Sequence, residues 1–490
     1  MGPQDALLVS FVFILITSLS DVLRRKLNYP NLPGYVALAG MISLLILILT
    51  IRDGVYRPLI NSPLPVVELK VDEFSRFFTL IISILAVPSL LYSFSYIREE
   101  SRASYYTLLL LLVTGLIGSV FSNDLFTFYC FWELASISAY SLVGFRWWHW
   151  EPAEASFKYL LACTVGALTV LYSTSLLYGI TGTTNLDELS RILSKVGSSQ
   201  IIAMSAALMI IGLGTTAAAT PFHMWLPDAH SAAPNPISAL LSGVVVKVPL
   251  YMLTRLMLSV LPFTNGLSYA LIVLGVASSL LGNLAALIQN DVKRFLAYST
   301  IANVGYIFTG IGACYRLLMI GATELAIDTA AGALSHLAVH ALSKGLLFLC
   351  VGNVIEEVGS RFFASLEGYG RRMPFTAAFS LVALVGLSGI PPLVGYYGKS
   401  LITAGIAYKL EDLFSLIVLA LVEANFALAA GYYAYFVFRM FKGRFHISRE
   451  ASKTALLSEF FIAAIIVFLS LQPSLLVEEA RACAKTVLPG

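Results

Sequence analysis

LGTTAAATPFHMWLPDAHSAAPNPISALLSGVVVKVPL, residues 213–250, is an apolar run that breaks at prolines and resumes around a single lysine. Pro221, Pro227, Pro234 and Pro236 do not fit one continuous helix, because each lacks an N–H donor and crowds the carbonyl a turn earlier. The chain is therefore expected to unwind here. Backbone groups freed inside hydrocarbon are costly, so such a break survives only where protein or a wet cavity satisfies them. His223, Asp228 and His230 supply polar partners within the break, Asp228 and His230 more as loop-shaping groups than as proton carriers. Lys247 follows in SALLSGVVVKVPLYML, where a lysine at a helix centre costs roughly 2.5–3.5 kcal/mol to insert. A broken helix beside a buried cation reads as a transport element.

Working outward, the whole chain is of the same kind. It has 490 residues, 58% hydrophobic and only 12% charged, with a mean hydropathy of +0.83, against about 25% charged in soluble domains. A crossing helix needs about 20 apolar residues. Fourteen runs qualify, roughly 6–23, 34–51, 77–97, 105–122, 125–145, 158–180, 201–220, 235–260, 266–290, 293–313, 326–355, 374–408, 413–438 and 455–471. They are apolar all round, unlike the alternating strands of a membrane barrel. The expected fold is an all-α polytopic membrane protein forming a single domain over 1–490, with no convincing strands and only tail after the last run.

Short cytoplasmic loops collect Lys and Arg. Loops after odd-numbered spans hold groups such as Arg24, Arg25 and Lys26, Arg371 and Arg372, and Arg439, Lys442 and Arg444; the other side holds fewer, among them Arg52, Arg57, Lys70 and Lys409. Both termini are thus expected outside. MGPQD carries no basic residue before its apolar run, so the first helix is expected to stay rather than be cleaved. Cys130, Cys163, Cys314, Cys350 and Cys483 show no paired ligand spacing, and no glycine-rich nucleotide fingerprint is present. No cofactor, no metal and no nucleic-acid partner is expected.

A second break lies in GLSGIPPLVGYYGKSLI, residues 386–402, where Pro391 and Pro392 fall 170 residues after Pro221 and Lys399 follows. Two bundles of five helices fit, about 105–260 and about 266–438, with broken helices 7 and 12. Because each unit has an odd number of spans, the copies would be inverted, the arrangement that builds sites near the midplane.

Four further groups sit inside spans. Glu133 in LFTFYCFWELASISAYSLVGF is near the middle of span 5; an unpaired buried carboxylate would rather bind a proton, and the plainer alternative is a protonated glutamate that packs against a neighbouring helix. Span 11 carries His336, His340 and Lys344 at successive i, i+4 steps, which stack along one helix face. Histidine's pKa suits a proton relay; polar packing and haem ligation are the alternatives, the last disfavoured because axial histidines ordinarily converge from different helices.

FYCFWELASISAYSLVGF around Glu133, PFHMWLPDAHSAAPNPISALLSGVVVK from Pro221 to Lys247, NDVKRFLAYSTIANVGYIF from Asn290, HALSKGLLFL from His340 and GIPPLVGYYGK ending at Lys399 together resemble the antiporter-like membrane subunits of respiratory complex I, of membrane-bound hydrogenase-related complexes and of Mrp-type cation/proton antiporters. The resemblance covers most of the chain. It implies about 14 helices with two inverted five-helix repeats, each contributing a half-channel to a charged axis along the midplane. By similarity Glu133 stands at one end, Lys247 and Lys344 at the centre and Lys399 near the exit. The chain looks like the shorter members that lack a long lateral C-terminal helix. One departure matters: the family's span-7 lysine, which pairs with the span-5 glutamate, is replaced by Thr216. A threonine bears no charge, so Glu133 is expected protonated, with Thr215, Thr216 and water in place of an ion pair.

The reading is a proton- or sodium-translocating subunit without redox chemistry of its own, working beside other membrane subunits in a respiratory, oxidoreductase or antiporter complex. Its rivals are a stand-alone secondary transporter and a structural subunit that has lost transport.

Overall fold

The structure, a computed structural model, describes residues 2–488 except 59–66, 100, 198, 263, 392, 409–411 and 444–448. Pro392, Lys409 and Arg444 of the sequence reading therefore lie outside the described residues. Helices α1 (Pro3–Leu27) and α2 (Leu32–Thr50) lead into a short antiparallel hairpin, β1 (Gly54–Tyr56) with β2 (Leu69–Val71). That hairpin corrects the expectation of no strands; three-residue strands are too short to leave a periodic signal.

The helices α3 (Glu73–Tyr96), α4 (Arg102–Phe121), α5 (Leu125–Val143) and α6 (Trp150–Thr181) follow, then the short α7 (Leu186–Val196). Side chains set several starts: Asp72 accepts from the Ser75 N–H, Asp124 from Phe126 and Thr127, and Asn185 from Asp187 and Glu188, each satisfying donors that a first turn leaves free. α7 is amphipathic, burying Leu186, Leu189 and Leu193.

The stretch that opened the sequence reading forms α8 (Gln200–Thr216), an unwound turn, α9 (Trp225–Ala232) and α10 (Asn235–Gly243). The chain unwinds less than four prolines suggest. Pro221 lies in the unwound turn, but Pro227 sits in the first turn of α9 and Pro236 in that of α10, where a missing N–H is harmless. The unwound backbone is satisfied by side chains: Thr220 N–H donates to Ser278 Oγ, on a later helix, at 2.9 Å, and Trp225 Nε1 donates to the Thr215 carbonyl at 2.9 Å.

A further break carries no clear mark in the sequence. After α10 the chain tightens into a 3-10 turn at Val245–Lys247 before α11 (Val248–Arg255) and one π turn, Leu256–Val260. Pro249 removes a donor there and Gly243 ends the preceding helix.

The second half comprises α12 (Asn265–Leu287), α13 (Val292–Met319), α14 (Thr323–Val358), a short α15 (Phe363–Leu366), α16 (Pro374–Ser388), α17 (Val394–Ala407), α18 (Leu413–Phe441), α19 (Lys453–Leu471) and α20 (Pro473–Val487). Glycines let α12 and α13 touch: a Cβ on Gly275 would stand 2.6 Å from the Gly305 carbonyl oxygen, the close approach small residues permit between membrane helices. The second break separates α16 from α17, with Gly389 left-handed at φ +71°. α14 has 36 residues, about 54 Å of helix, and is almost wholly buried; α10, α13, α16, α17, α19 and α20 pack against it, whereas α1, α2 and α6 lie further out. α20 replaces the expected tail. It lies across the starts of α3 and α14, where Arg481 pairs with Asp328 at 2.5 Å and Thr486 Oγ1 reaches Glu73 at 3.1 Å.

Among the described residues, eleven helices are long and apolar enough to cross a bilayer, and α8 and α16 are shorter apolar helices. This is a polytopic helical membrane protein.

Candidate functional site: a buried row of lysines and histidines

Lys247, His336, His340, Lys344 and Lys399 are all buried, none more than 4% exposed. Two of the lysines sit where a helix has been opened. Lys399, one turn into α17, donates to the carbonyls of Leu387 at 3.2 Å and Ser388 at 3.1 Å, the last turn of α16. Those carbonyls have no intrahelical donor and carry the negative end of the helix dipole. Phe426 and Tyr306 lie against the ammonium, ring centroids 4.8 and 5.7 Å away. Lys247 closes the end of α10 in the same way, its Nζ donating to the Ser242 carbonyl. Breaking a helix thus supplies the acceptors that an apolar surrounding cannot.

On α14 the His336 and His340 rings stack at 6.3 Å, and both ring nitrogens of each lack a protein hydrogen-bond partner. One turn on, Lys344 Nζ donates to Ser299 Oγ at 2.7 Å and to the Leu296 carbonyl at 3.0 Å on α13. Lys247, Lys344 and Lys399 are all close enough to act electrostatically on His340.

A hydroxyl and amide chain that the sequence did not disclose runs beside this stripe. Tyr432 Oη contacts Ser299 Oγ at 3.3 Å and donates to Asn283 Oδ1 at 3.0 Å; Asn283 Nδ2 donates to Tyr306 Oη at 2.9 Å, and Tyr306 donates to the Asn425 carbonyl at 2.9 Å. Lys344 is therefore linked to the ring facing Lys399 by a run of hydrogen bonds. Its members come from α12, α13 and α18, and no spacing within any one helix announces it.

Glu133 stands apart from the row. It is half-buried on α5; its Oε1 has no partner, and no ion pair reaches it among the described residues. Its surroundings are Tyr129, Tyr140, Tyr159 and Cys163, with Tyr159 stacked on Trp225 at 4.1 Å. Thr216 Oγ1 donates back to the Leu213 carbonyl at 3.1 Å and Thr215 Oγ1 to Ile211 at 2.8 Å; neither hydroxyl contacts Glu133.

Asp228 is held by Lys158 at 3.0 Å and Arg294 at 3.1 Å. His230 is fully buried, stacked on Phe348 at 4.5 Å, with both ring nitrogens unpartnered. His223 lies 3.4 Å from Thr220 Oγ1. Lys293, at the very start of the tenth apolar run, is buried and donates to the Ala233 carbonyl at 2.8 Å. It lines a cavity of about 370 Å³ with Asn235, Arg146 and Arg361. Two carboxylates also escaped the sequence reading: Glu423, exposed on α18 and acting on Lys399, and Glu459, fully buried on α19. Among the described residues no three His, Cys, Asp or Glu converge as metal ligands.

Residues 122–426 match the family described as NADH:quinone oxidoreductase/Mrp antiporter, transmembrane. NADH-quinone oxidoreductase subunit N of Desulforudis audaxviator is 32% identical over 345 residues, which cover 69% of this chain and 66%, just under two thirds, of that protein. A Na(+)/H(+) antiporter subunit of Alkalihalophilus pseudofirmus is 30% identical over 432 residues, 83% of this chain and 52% of that protein; the chain spans about half its length. In the solved Mrp complex from Dietzia sp. DQ12-45-1b, one chain superposes with a TM-score of 0.88 at 25% identity, covering all of this chain and 52% of that one.

Proposed function

The chain belongs to the NADH:quinone oxidoreductase/Mrp antiporter transmembrane family, and from that premise we propose that it is an ion-translocating, antiporter-like subunit of a larger membrane complex, moving protons or sodium ions and performing no redox chemistry itself. In this reading the chain crosses the membrane fourteen times as two inverted five-helix repeats, about 105–260 and 266–438, with both termini outside. The partners are other membrane subunits of a respiratory, oxidoreductase or antiporter assembly.

The observation that carries the proposal is the buried row itself. Five titratable groups are withdrawn from water in one continuous region, and each ammonium is held by carbonyls or a hydroxyl instead of a carboxylate. Such an arrangement is poor for stability, because buried charges without counter-ions keep most of their desolvation cost. It is well suited to transfer. In a low-dielectric interior a proton arriving at one group strongly disfavours a charge on the next, so occupancy passes along the row by repulsion. Lys247 and Lys344 form the centre, His340 and His336 the steps outward, and Lys399 the last cation before Glu423 on the outer face of α18. The Lys293 cavity offers the aqueous approach from the basic side.

A specific observation favours a second, narrower reading for the first repeat. Glu133 faces tyrosines and a cysteine, and Thr216 is turned onto its own helix, so the first repeat lacks the ion pair that its relatives' pattern implies. We infer that transport runs mainly through the second repeat, with Glu133 a protonated side branch. Reconstituting the intact complex and measuring ion flux with Lys344→Met tests the function: flux should be lost while the complex stays assembled, and undiminished flux would refute it.

A further inference from the structure

We propose that Glu459 on α19 is a proton-loading site that opens onto a separate vestibule and feeds the buried row from outside the two five-helix bundles. The inference rests on the transport reading above but not on its residues. A cavity of about 450 Å³ lies between the ends of α3 and α14 and the segment leading into α19, with Arg98, Glu356, Glu357, Arg449, Glu450 and Lys453 along its wall. Asn353, itself buried, also lines it and donates through Nδ2 to Glu459 Oε1. Glu459 itself is 0% exposed; its Oε2 has no N–H or O–H partner, and the Cys350 thiol of α14 lies beside the carboxyl as a weak donor.

Two more orphaned polar atoms surround this carboxyl. The Tyr92 hydroxyl is fully buried, lies in the field of Glu459 and faces the Asn235 side chain, without a well-formed hydrogen bond between them. Asn235 donates to the Gly352 carbonyl at 3.1 Å, next to Asn353, and leaves its Oδ1 unpartnered. A buried polar atom left without a hydrogen bond keeps its desolvation cost. A carboxyl serving only to fasten α19 to α14 gains nothing from a free Oε2 beside a loosely paired tyrosine and asparagine; a site that binds and releases a proton or a water uses them.

The site also leads somewhere. Asn235 lines the 370 Å³ cavity that contains Lys293, and His230 beyond it lies within the field of Lys293, Lys344 and Lys247. The step is a proton transfer: a hydronium ion in the vestibule loses one O–H bond as another forms at Glu459 Oε2, leaving water. On release the Glu459 O–H bond breaks, restoring the carboxylate, and an N–H bond forms on a ring nitrogen of His230, the proton passing Tyr92 and Asn235 on the way. Part of the path from the vestibule to the row thus uses α3 and α19, helices outside both bundles.

The test uses the intact complex in proteoliposomes. Glu459→Gln keeps the side-chain shape and the oxygen that accepts from Asn353 but cannot load a proton; proton translocation should fall at least tenfold with unchanged subunit composition, and Glu459→Asp should recover part of it. Infrared spectra should show a carboxylic-acid carbonyl band that shifts rapidly in D₂O, is displaced in Glu459→Asp and is absent in Glu459→Gln. Wild-type translocation in Glu459→Gln, or a Glu459 band that does not exchange with D₂O, would overturn the proposal. If Glu459→Gln fails to assemble, the exchange behaviour of the band assigned with Glu459→Asp decides the question. Lys344→Met measured alongside separates the two ideas: loss there with normal flux in Glu459→Gln refutes only the loading site, whereas normal flux in both refutes transport through the row.

Discussion

Replacing His340 with leucine removes the middle step of the row at little structural cost. Neither ring nitrogen of His340 has a protein partner, so no hydrogen bond is lost, and a swap of similar volume in a packed interior usually costs under about 1.5 kcal/mol. The electrostatic consequence is larger. His336, His340 and Lys344 are four residues apart along α14, about 6 Å of helix rise per step. At an effective dielectric of about 20, unit charges about 6 Å apart interact by roughly 2.8 kcal/mol, and at about 12 Å, the spacing left between His336 and Lys344, by roughly 1.4 kcal/mol. The driving interaction therefore falls by about 1.4 kcal/mol, close to tenfold in rate. The assay is proton uptake by proteoliposomes holding the intact complex, with subunit composition checked by gel filtration. Translocation about tenfold slower in an assembled complex is expected. Flux equal to wild type would show that charge does not pass through His340, and the Ser299, Tyr432, Asn283 and Tyr306 chain would become the candidate link among the described residues.

Lys247→Ala and Lys399→Ala should each reduce ion translocation strongly while partner subunits still co-purify, because each removes a desolvated charge that contributes little packing; normal flux in both places them off the path. Glu133→Gln should remove a protonated-acid carbonyl band and leave flux within about twofold of wild type, and the absence of that band in wild type would show an ionised Glu133. Asp72 binds Arg255 through two hydrogen bonds, 2.9 and 2.8 Å. Burial works against its charge, but the Arg255 guanidinium and the Ser75 N–H outweigh it and hold the carboxyl below its usual value of 3.8. A depressed carboxylate stabilises the fold above that value and loses its contribution as the pH falls below it. Asp72→Asn should therefore cost about 3 kcal/mol at neutral pH, read as a lower melting temperature in detergent, and the gap to wild type should narrow as the pH is taken below 3.8 and through the depressed folded-state value; a gap independent of pH would mean that the pair is not the cause.

The features that could be read from the chain are those that apolar membrane segments cannot hide. Lys247, His336, His340, Lys344 and Lys399 stand out because a charge in hydrocarbon demands a reason, and Pro221 and Pro391 because a helix cannot absorb them. Other features needed the third dimension. Lys293 follows a loop by only a few residues and passes for an interfacial charge, yet neighbouring helices close over it. Glu459 lies six residues into its helix and reads the same way; only the packing of α3 and α14 seals it. Tyr306, Asn283 and Tyr432 are ordinary polar residues in apolar helices until three elements bring them together. The break at Lys247 was concealed because Gly243 and Pro249 each sit at positions a helix end tolerates, and α7 and α20 because amphipathic surface helices carry too little apolar length to register as spans.

The central claim is that ions cross this protein by passing charge between buried groups of which Lys344 is the hub. The most direct test is proton or sodium flux through the reconstituted intact complex carrying Lys344→Met, with the activity of the partner subunits recorded in the same preparation. Continued partner activity with flux reduced to background is the predicted result. Flux at the wild-type level, in a complex of unchanged composition, would contradict it.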